Sequence, residues 1–160
     1  MGTDIEIYRL KFVTSIFLAS FLFQDASAIQ FVSLKSSKIN MRVGPGEEFP
    51  VSWVFIRAGL PVKLIAEFQH WRKIKCHDNT EGWIHQSMIS GRNTAIIIKD
   101  KALLYEKNSP KYPKARISKD VIVRVLKVED QWAKVDINKI KGWMKTEDLW
   151  GTNKEKKEIG

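Results

Sequence analysis

A pattern of strand, Trp, strand, turn and Gly-Trp occurs twice in this chain. The first copy reads Pro61-Val62-Lys63-Leu64-Ile65, then Trp71, then Gly82-Trp83-Ile84. The second reads Val121-Ile122-Val123-Arg124-Val125, then Trp132, then Gly142-Trp143-Met144. Trp71 and Trp132 lie 61 positions apart, and Trp83 and Trp143 lie 60 apart. A duplication of this period divides the chain into two small units, and it constrains the fold before any local propensity does.

The segments between these landmarks read as short strands. Ile39, Met41 and Val43 alternate with Asn40 and Arg42, the two-residue period of a half-buried strand, so the three apolar residues are expected to face inward. Gly44-Pro45-Gly46 forces a turn, because proline fixes φ and glycine reaches angles that other residues avoid. Further strands are expected at 51–56, 61–67, 71–75 and 82–85, with a single helical turn over 87–90. Thr94 to Ile98 is β-rich and can complete either unit. In the second unit, Glu106 to Pro113 is a loop by composition, and strands follow at 121–128, 132–136 and 140–145. No apolar stripe of helical period runs beyond one or two turns. The class is therefore all-β, of small barrels or sandwiches.

The N-terminus reads as an export signal. Arg9 and Lys11 precede the apolar run Phe12 to Phe23, and Ala26-Ser27-Ala28 supplies a small-x-small cleavage site. The run is shorter than the roughly 20 apolar residues that span a bilayer, so no stable membrane span remains after cleavage. Retention as an anchor is the alternative to cleavage. The expected organisation is a signal peptide at 1–28, a first unit at 29–92, a second, divergent unit at 93–151 and a polar, disordered tail at 152–160.

Export and charge bound the partners. The segment after Ala28 carries 25 basic against 15 acidic side chains. The excess is spread evenly, nine against five in 35–92 and 13 against eight in 93–151. No block of it forms a nucleic-acid arm, and secretion removes most nucleic-acid partners. A basic protein outside the cytoplasm suits an anionic envelope polymer, although an even surface charge also serves solubility alone.

Cys76 is the single cysteine, so neither unit has an internal disulfide and each depends on its apolar core. Units of about 60 residues are marginal alone, so the two are expected to dock. Cys76 stands near His70, His77 and His85 in sequence, yet Cys76 and His77 are adjacent, and adjacent strand residues point to opposite faces. No catalytic residue, metal site or cofactor is expected, since the spacings match neither a nucleophile with its base nor a metal-ligand set. Trp83 and Trp143 are expected in the two cores, whereas Trp71 follows a turn, where an aromatic can border a groove.

Ile39-Asn40-Met41-Arg42-Val43-Gly44-Pro45-Gly46, with Phe49-Pro50-Val51, Gly59-Leu60-Pro61-Val62, Trp71 and Glu81-Gly82-Trp83-Ile84, resembles the bacterial SH3-like (SH3b) domain. The longer pattern, closing on Leu149-Trp150-Gly151, resembles a tandem form common in Gram-negative secreted proteins. The resemblance implies two tandem SH3-like barrels in the periplasm or outside the cell. It also implies a non-catalytic module that recognises peptidoglycan or its peptide stem. An envelope protein–protein adaptor, working through the second unit or the cleft between units, is the alternative. The second unit has Leu103-Leu104-Tyr105-Glu106 where the Asn-x-Arg-x-Gly-Pro-Gly segment would fall, so the ligand site is expected mainly in the first. Asn40 and Arg42 share one strand face there, Glu47 and Phe49 stand in the adjoining loop, and Trp71 borders them. These five are the candidate ligand-binding residues, with the planar fork of Arg42 suited to a carboxylate of a peptide stem.

Overall fold

The computed structural model describes residues 30–152. The expected signal peptide and residues 153–160 of the expected tail lie outside the described residues. Two seven-stranded antiparallel sheets follow one another along the chain. The first contains β1 (Gln30–Leu34), β2 (Ile39–Arg42), β3 (Val51–Phe55), β4 (Pro61–Phe68), β5 (Trp71–Lys75), β6 (Glu81–His85) and β7 (Ile89–Ser90), in the order β3-β2-β6-β5-β4-β1-β7. The second contains β8 (Thr94–Ile97), β9 (Ala102–Tyr105), β10 (Pro113–Ile117), β11 (Ile122–Glu129), β12 (Trp132–Ile137), β13 (Ile140–Lys145) and β14 (Leu149–Trp150). Its order, β10-β9-β13-β12-β11-β8-β14, repeats the first strand for strand. A short 3₁₀ turn precedes the last strand of each sheet, at Gln86–Met88 and at Thr146–Asp148. Among the described residues, no helix is long and apolar enough to cross a membrane.

The duplication extends to irregular features. The β4–β5 ladder slips between Leu64 and Ala66, and the β11–β12 ladder slips between Val125 and Lys127. Bulges of this kind sharpen the twist that curls a sheet into a barrel. The β4–β5 and β11–β12 hairpins turn on Gln69 and Asp130, each with positive φ (47° and 49°). The β12–β13 hairpin turns on Asn138 and Lys139, both left-handed, the geometry whose twist matches the flanking strands.

One core lies in each sheet. The first is built on Leu34, Ile39, Met41, Val62, Ile74 and Ile84, and the second on Ile97, Leu104, Val123, Val135 and Met144. Three expectations about facing change. Val43 lies beyond the end of β2, where the chain enters the Gly44-Pro45-Gly46 turn, and is 59% exposed. Trp83 and Trp143 are half-buried and stand outside both cores. Their strands turn Gly82, Ile84, Gly142 and Met144 inward, so strict alternation turns the tryptophans outward. Lys127 and Lys134 place their ammonium groups over the Trp143 ring, at 5.2 and 5.8 Å from its centre.

β8 joins the second sheet, pairing with β11 and β14, and also binds the two halves together. Ala95 and Ile97 enter the second core while Ile96 enters the first. Around this strand, Thr94 Oγ1 donates to the Gly59 carbonyl at 2.8 Å and the Arg57 guanidinium donates to the Asp120 carbonyl at 2.6 Å. The Trp150 ring meets Phe31 edge-on at 4.9 Å between ring centres, and Gly151 packs against Pro61. The expected docking of the units thus combines an apolar contact, with Ile96 in the first core, and side-chain hydrogen bonds to carbonyls across the junction.

Candidate functional site

The first sheet carries an open cleft of about 300 Å³. Asn40 and Arg42 of β2, Glu47 of the following loop and Trp71 at the start of β5 line it, so four of the five candidate residues come together. Ile39 also lines it, and Lys38, His85 and Met88, which sequence reasoning does not reach, complete the wall. They lie at a strand entry and around a 3₁₀ turn, where the sequence shows no periodic signal. The fifth candidate, Phe49, does not line the cleft. Its ring covers Gly44 so closely that a Cβ there would stand 2.4 Å from the ring, and its carbonyl accepts a 2.7 Å hydrogen bond from Arg42. Phe49 therefore fixes the loop and orients the arginine. That bond uses one guanidinium nitrogen and leaves the remaining donors of the fork for a ligand.

Trp71 is also fixed from behind. The His85 ring meets it edge-on at 5.6 Å, and His85 Nδ1 is 2.7 Å from Ser87 Oγ. Arg72 donates to the carbonyls of Gln69 and Trp71 at 2.8 and 3.0 Å and to Gln86 Oε1 at 3.0 Å. A half-buried indole held in this way presents a rigid apolar face, which costs little side-chain entropy on binding. With Lys38 and Arg42 against Glu47, the cleft carries one net positive charge, suited to an anionic group beside an apolar surface.

The same place in the second sheet is closed. Tyr105 pairs with Trp143 as Arg42 pairs with Trp83, so tyrosine stands where the first unit has its arginine. Trp132 pairs with Lys145 as Trp71 pairs with His85. The Tyr105 and Trp132 rings meet edge-on at 5.2 Å, and both residues are only 7% exposed. They fill the volume that lies open in the first unit. What remains beside Lys145 and Glu147 is a polar recess of about 100 Å³.

A second cleft, of about 270 Å³, lies at the junction of the units, between Trp53, Arg57 and His77 on one side and Ile96 and Asp120 on the other. His77 Nδ1 is buried there without a hydrogen-bond partner. Cys76 is on its floor. Burial, and secondarily the Asp78 carboxylate, push the Cys76 thiol up to about 12, so at neutral pH it is a protonated, shielded thiol and a poor nucleophile. Among the described residues, no group of three or more His, Cys, Asp or Glu side chains is placed to hold a metal ion.

Comparison with protein families agrees with the tandem fold. The family model described as "Bacterial SH3 domain" matches residues 35–91 and again residues 99–151. The chain belongs to the bacterial SH3 domain family, in tandem form. No curated protein matches it. Solved structures with a similar path include NlpC2 from Trichomonas vaginalis (11% identity, TM-score 0.35) and NlpC1 from the same organism (8%, 0.36). They also include an NlpC/P60 family protein from Bacillus cereus (12%, 0.36). The matches cover 76%, 76% and 77% of this chain and 48%, 45% and 57% of those chains, so this chain spans about half the length of those proteins.

Proposed function

We propose that this tandem bacterial SH3 protein is a non-catalytic binding module of the cell envelope, exported by the segment before Ile29. In this reading its first unit holds peptidoglycan by the peptide stem. The observation that carries the reading is the contrast between two copies of one framework. The cleft that Arg42 and Trp71 line in the first copy is plugged by Tyr105 and Trp132 in the second. A surface kept open at one of two equivalent places, with a braced indole and a partly free guanidinium, fits a ligand that offers a carboxylate next to an aliphatic stem. The spread basic charge assists approach to an anionic polymer.

The test is co-sedimentation of the protein with purified sacculi, beside a non-binding protein of matched charge. The expected result is enrichment over that control, reduced about tenfold or more by Arg42→Ala or Trp71→Ala, as for central anchors of a binding surface. Equal sedimentation of the protein and the control would refute the reading. The adaptor reading is favoured by a different observation, the junction cleft with its exposed Trp53 and the buried His77 Nδ1 that lacks a hydrogen-bond partner. In-cell cross-linking from position 53 that captures one defined envelope protein, with no binding to sacculi, would select it.

A further inference from the structure

Strand β3 has the composition of an interior strand and the position of an outer one. Phe55 and Trp53 share the face of Ile39 and Met41, while Val54 and Val51 share the face of Asn40 and Arg42 with Ser52 bulged out between them, so both faces carry large apolar side chains, as in strands covered on each side. Yet β3 ends the first sheet and, among the described residues, pairs only with β2. Four of its five residues are exposed, Trp53 by 52%, and Ile56 just beyond it by 77%. With Val43 and Phe49, the β2–β3 hairpin collects the densest run of exposed large apolar side chains among the described residues. The corresponding outer strand of the second sheet, β10, is built differently. It carries Pro113, Lys114 and Arg116, the devices by which natural sheets block pairing at an edge. Both outer strands are bulged at the same place, at Ser52 and at Lys114, but only β10 adds cations within the strand, where β3 has large apolar side chains.

The charges flanking β3 indicate what covers it. Glu47 and Glu48 stand before the strand and Arg57 after it, with no charge between them. A strand with acid at one end and base at the other is self-complementary when two copies run antiparallel about a two-fold axis. The acidic end of each then meets the basic end of its partner, while Val51, Trp53 and Val54 pair at the centre. Aromatic and β-branched residues are favoured cross-strand partners. From this arrangement we propose that β3 is a homodimer interface, at which two copies of the chain join their first sheets into one continuous antiparallel sheet. Val51, Trp53 and Val54 do not line the Trp71 cleft, and Glu47 is the one residue that the two surfaces share, so the dimer is read without reference to the ligand assigned to that cleft.

Analytical ultracentrifugation of the purified protein over a wide concentration range tests this. The expected result is a reversible monomer–dimer equilibrium, weakened about tenfold or more by Trp53→Lys, because a buried charge without a partner is costly at an interface. Charge reversal supplies a control against general stickiness. Glu48→Lys, which leaves the cleft residue Glu47 in place, should weaken the dimer, Arg57→Glu should weaken it, and the two together should restore it, with the thermal midpoint read beside each because Arg57 also donates to the Asp120 carbonyl. A wild-type protein that stays monomeric throughout would overturn the proposal. So would a dimer indifferent to both sets of changes. A monomer whose Trp53 is shielded from a soluble fluorescence quencher until residues 153–160 are removed would overturn it in favour of the chain's own end as occupant. A monomer that binds a foreign extended peptide through Trp53 would overturn it in favour of that partner.

Discussion

The glycine of each Gly-Trp pair has a steric role that the motif alone does not disclose. A Cβ on Gly82 would stand 2.5 Å from Met41 Cγ and 2.9 Å from the Arg42 carbonyl, and one on Gly142 would stand 2.7 Å from Leu104 and 2.8 Å from the Tyr105 carbonyl. Backbone cannot yield as a flexible side chain can. Gly82→Ala and Gly142→Ala are therefore each expected to destabilise by about 1–3 kcal/mol, read as a shift in the urea midpoint. Gly82→Ala should also loosen the cleft, since the carbonyl it would press on belongs to Arg42. Cys76 gives a prediction in pH. Its thiol ordinarily ionises near 9.0 and in the fold near 12. Between those values the unfolded chain has lost a proton that the folded chain keeps, so stability falls as pH rises from about 9 toward 12. Lys99, held above its usual 10.5 by its hydrogen bond to Asp148, adds a second alkaline loss once the pH passes that value. Thermal midpoints measured against pH should show the decline, and Cys76→Val should remove the part that begins near 9.

At the scale of elements, legibility follows burial. The pattern of β2 is plain in sequence because Ile39 and Met41 are both 1% exposed beside polar neighbours. It fails at Val43, where the chain leaves the ladder and alternation no longer reports on a sheet face. Asn40, Arg42, Glu47 and Trp71 can be grouped from sequence because a strand face and two loops converge on them. The bracing role of Phe49 cannot, since its ring folds back over Gly44 and the bond that orients Arg42 comes from its backbone carbonyl. β10 is not legible in the sequence because the proline and cations that protect an outer strand also dilute its apolar signal. β8 stayed ambiguous for the opposite reason. Thr94, Ala95, Ile96 and Ile97 are all buried, and a strand covered on both faces shows no alternation by which to assign it. Its two-sidedness is itself testable. Ile96→Ala removes a side chain from the first core through a strand of the second sheet, and a loss of roughly 2–5 kcal/mol is expected.

For the whole molecule, the shared strand makes the two sheets one thermodynamic body. Calorimetry is expected to give a single transition whose enthalpy agrees with its van't Hoff value. Ile96→Ala should either lower that one midpoint or split it in two. Arg57 and Thr94 reinforce the coupling by reaching carbonyls across the junction. Gene duplication ordinarily yields parts that can be lost, exchanged or respaced at will. Here the residue needed to complete the earlier half is encoded at the threshold of the later one. A break at residue 92 would leave the first core without Ile96, and an insertion there would have to preserve how β8 meets both halves. Recombination that separated the pair would therefore cost the first unit part of its core, which favours keeping the plugged second unit even where it touches no ligand.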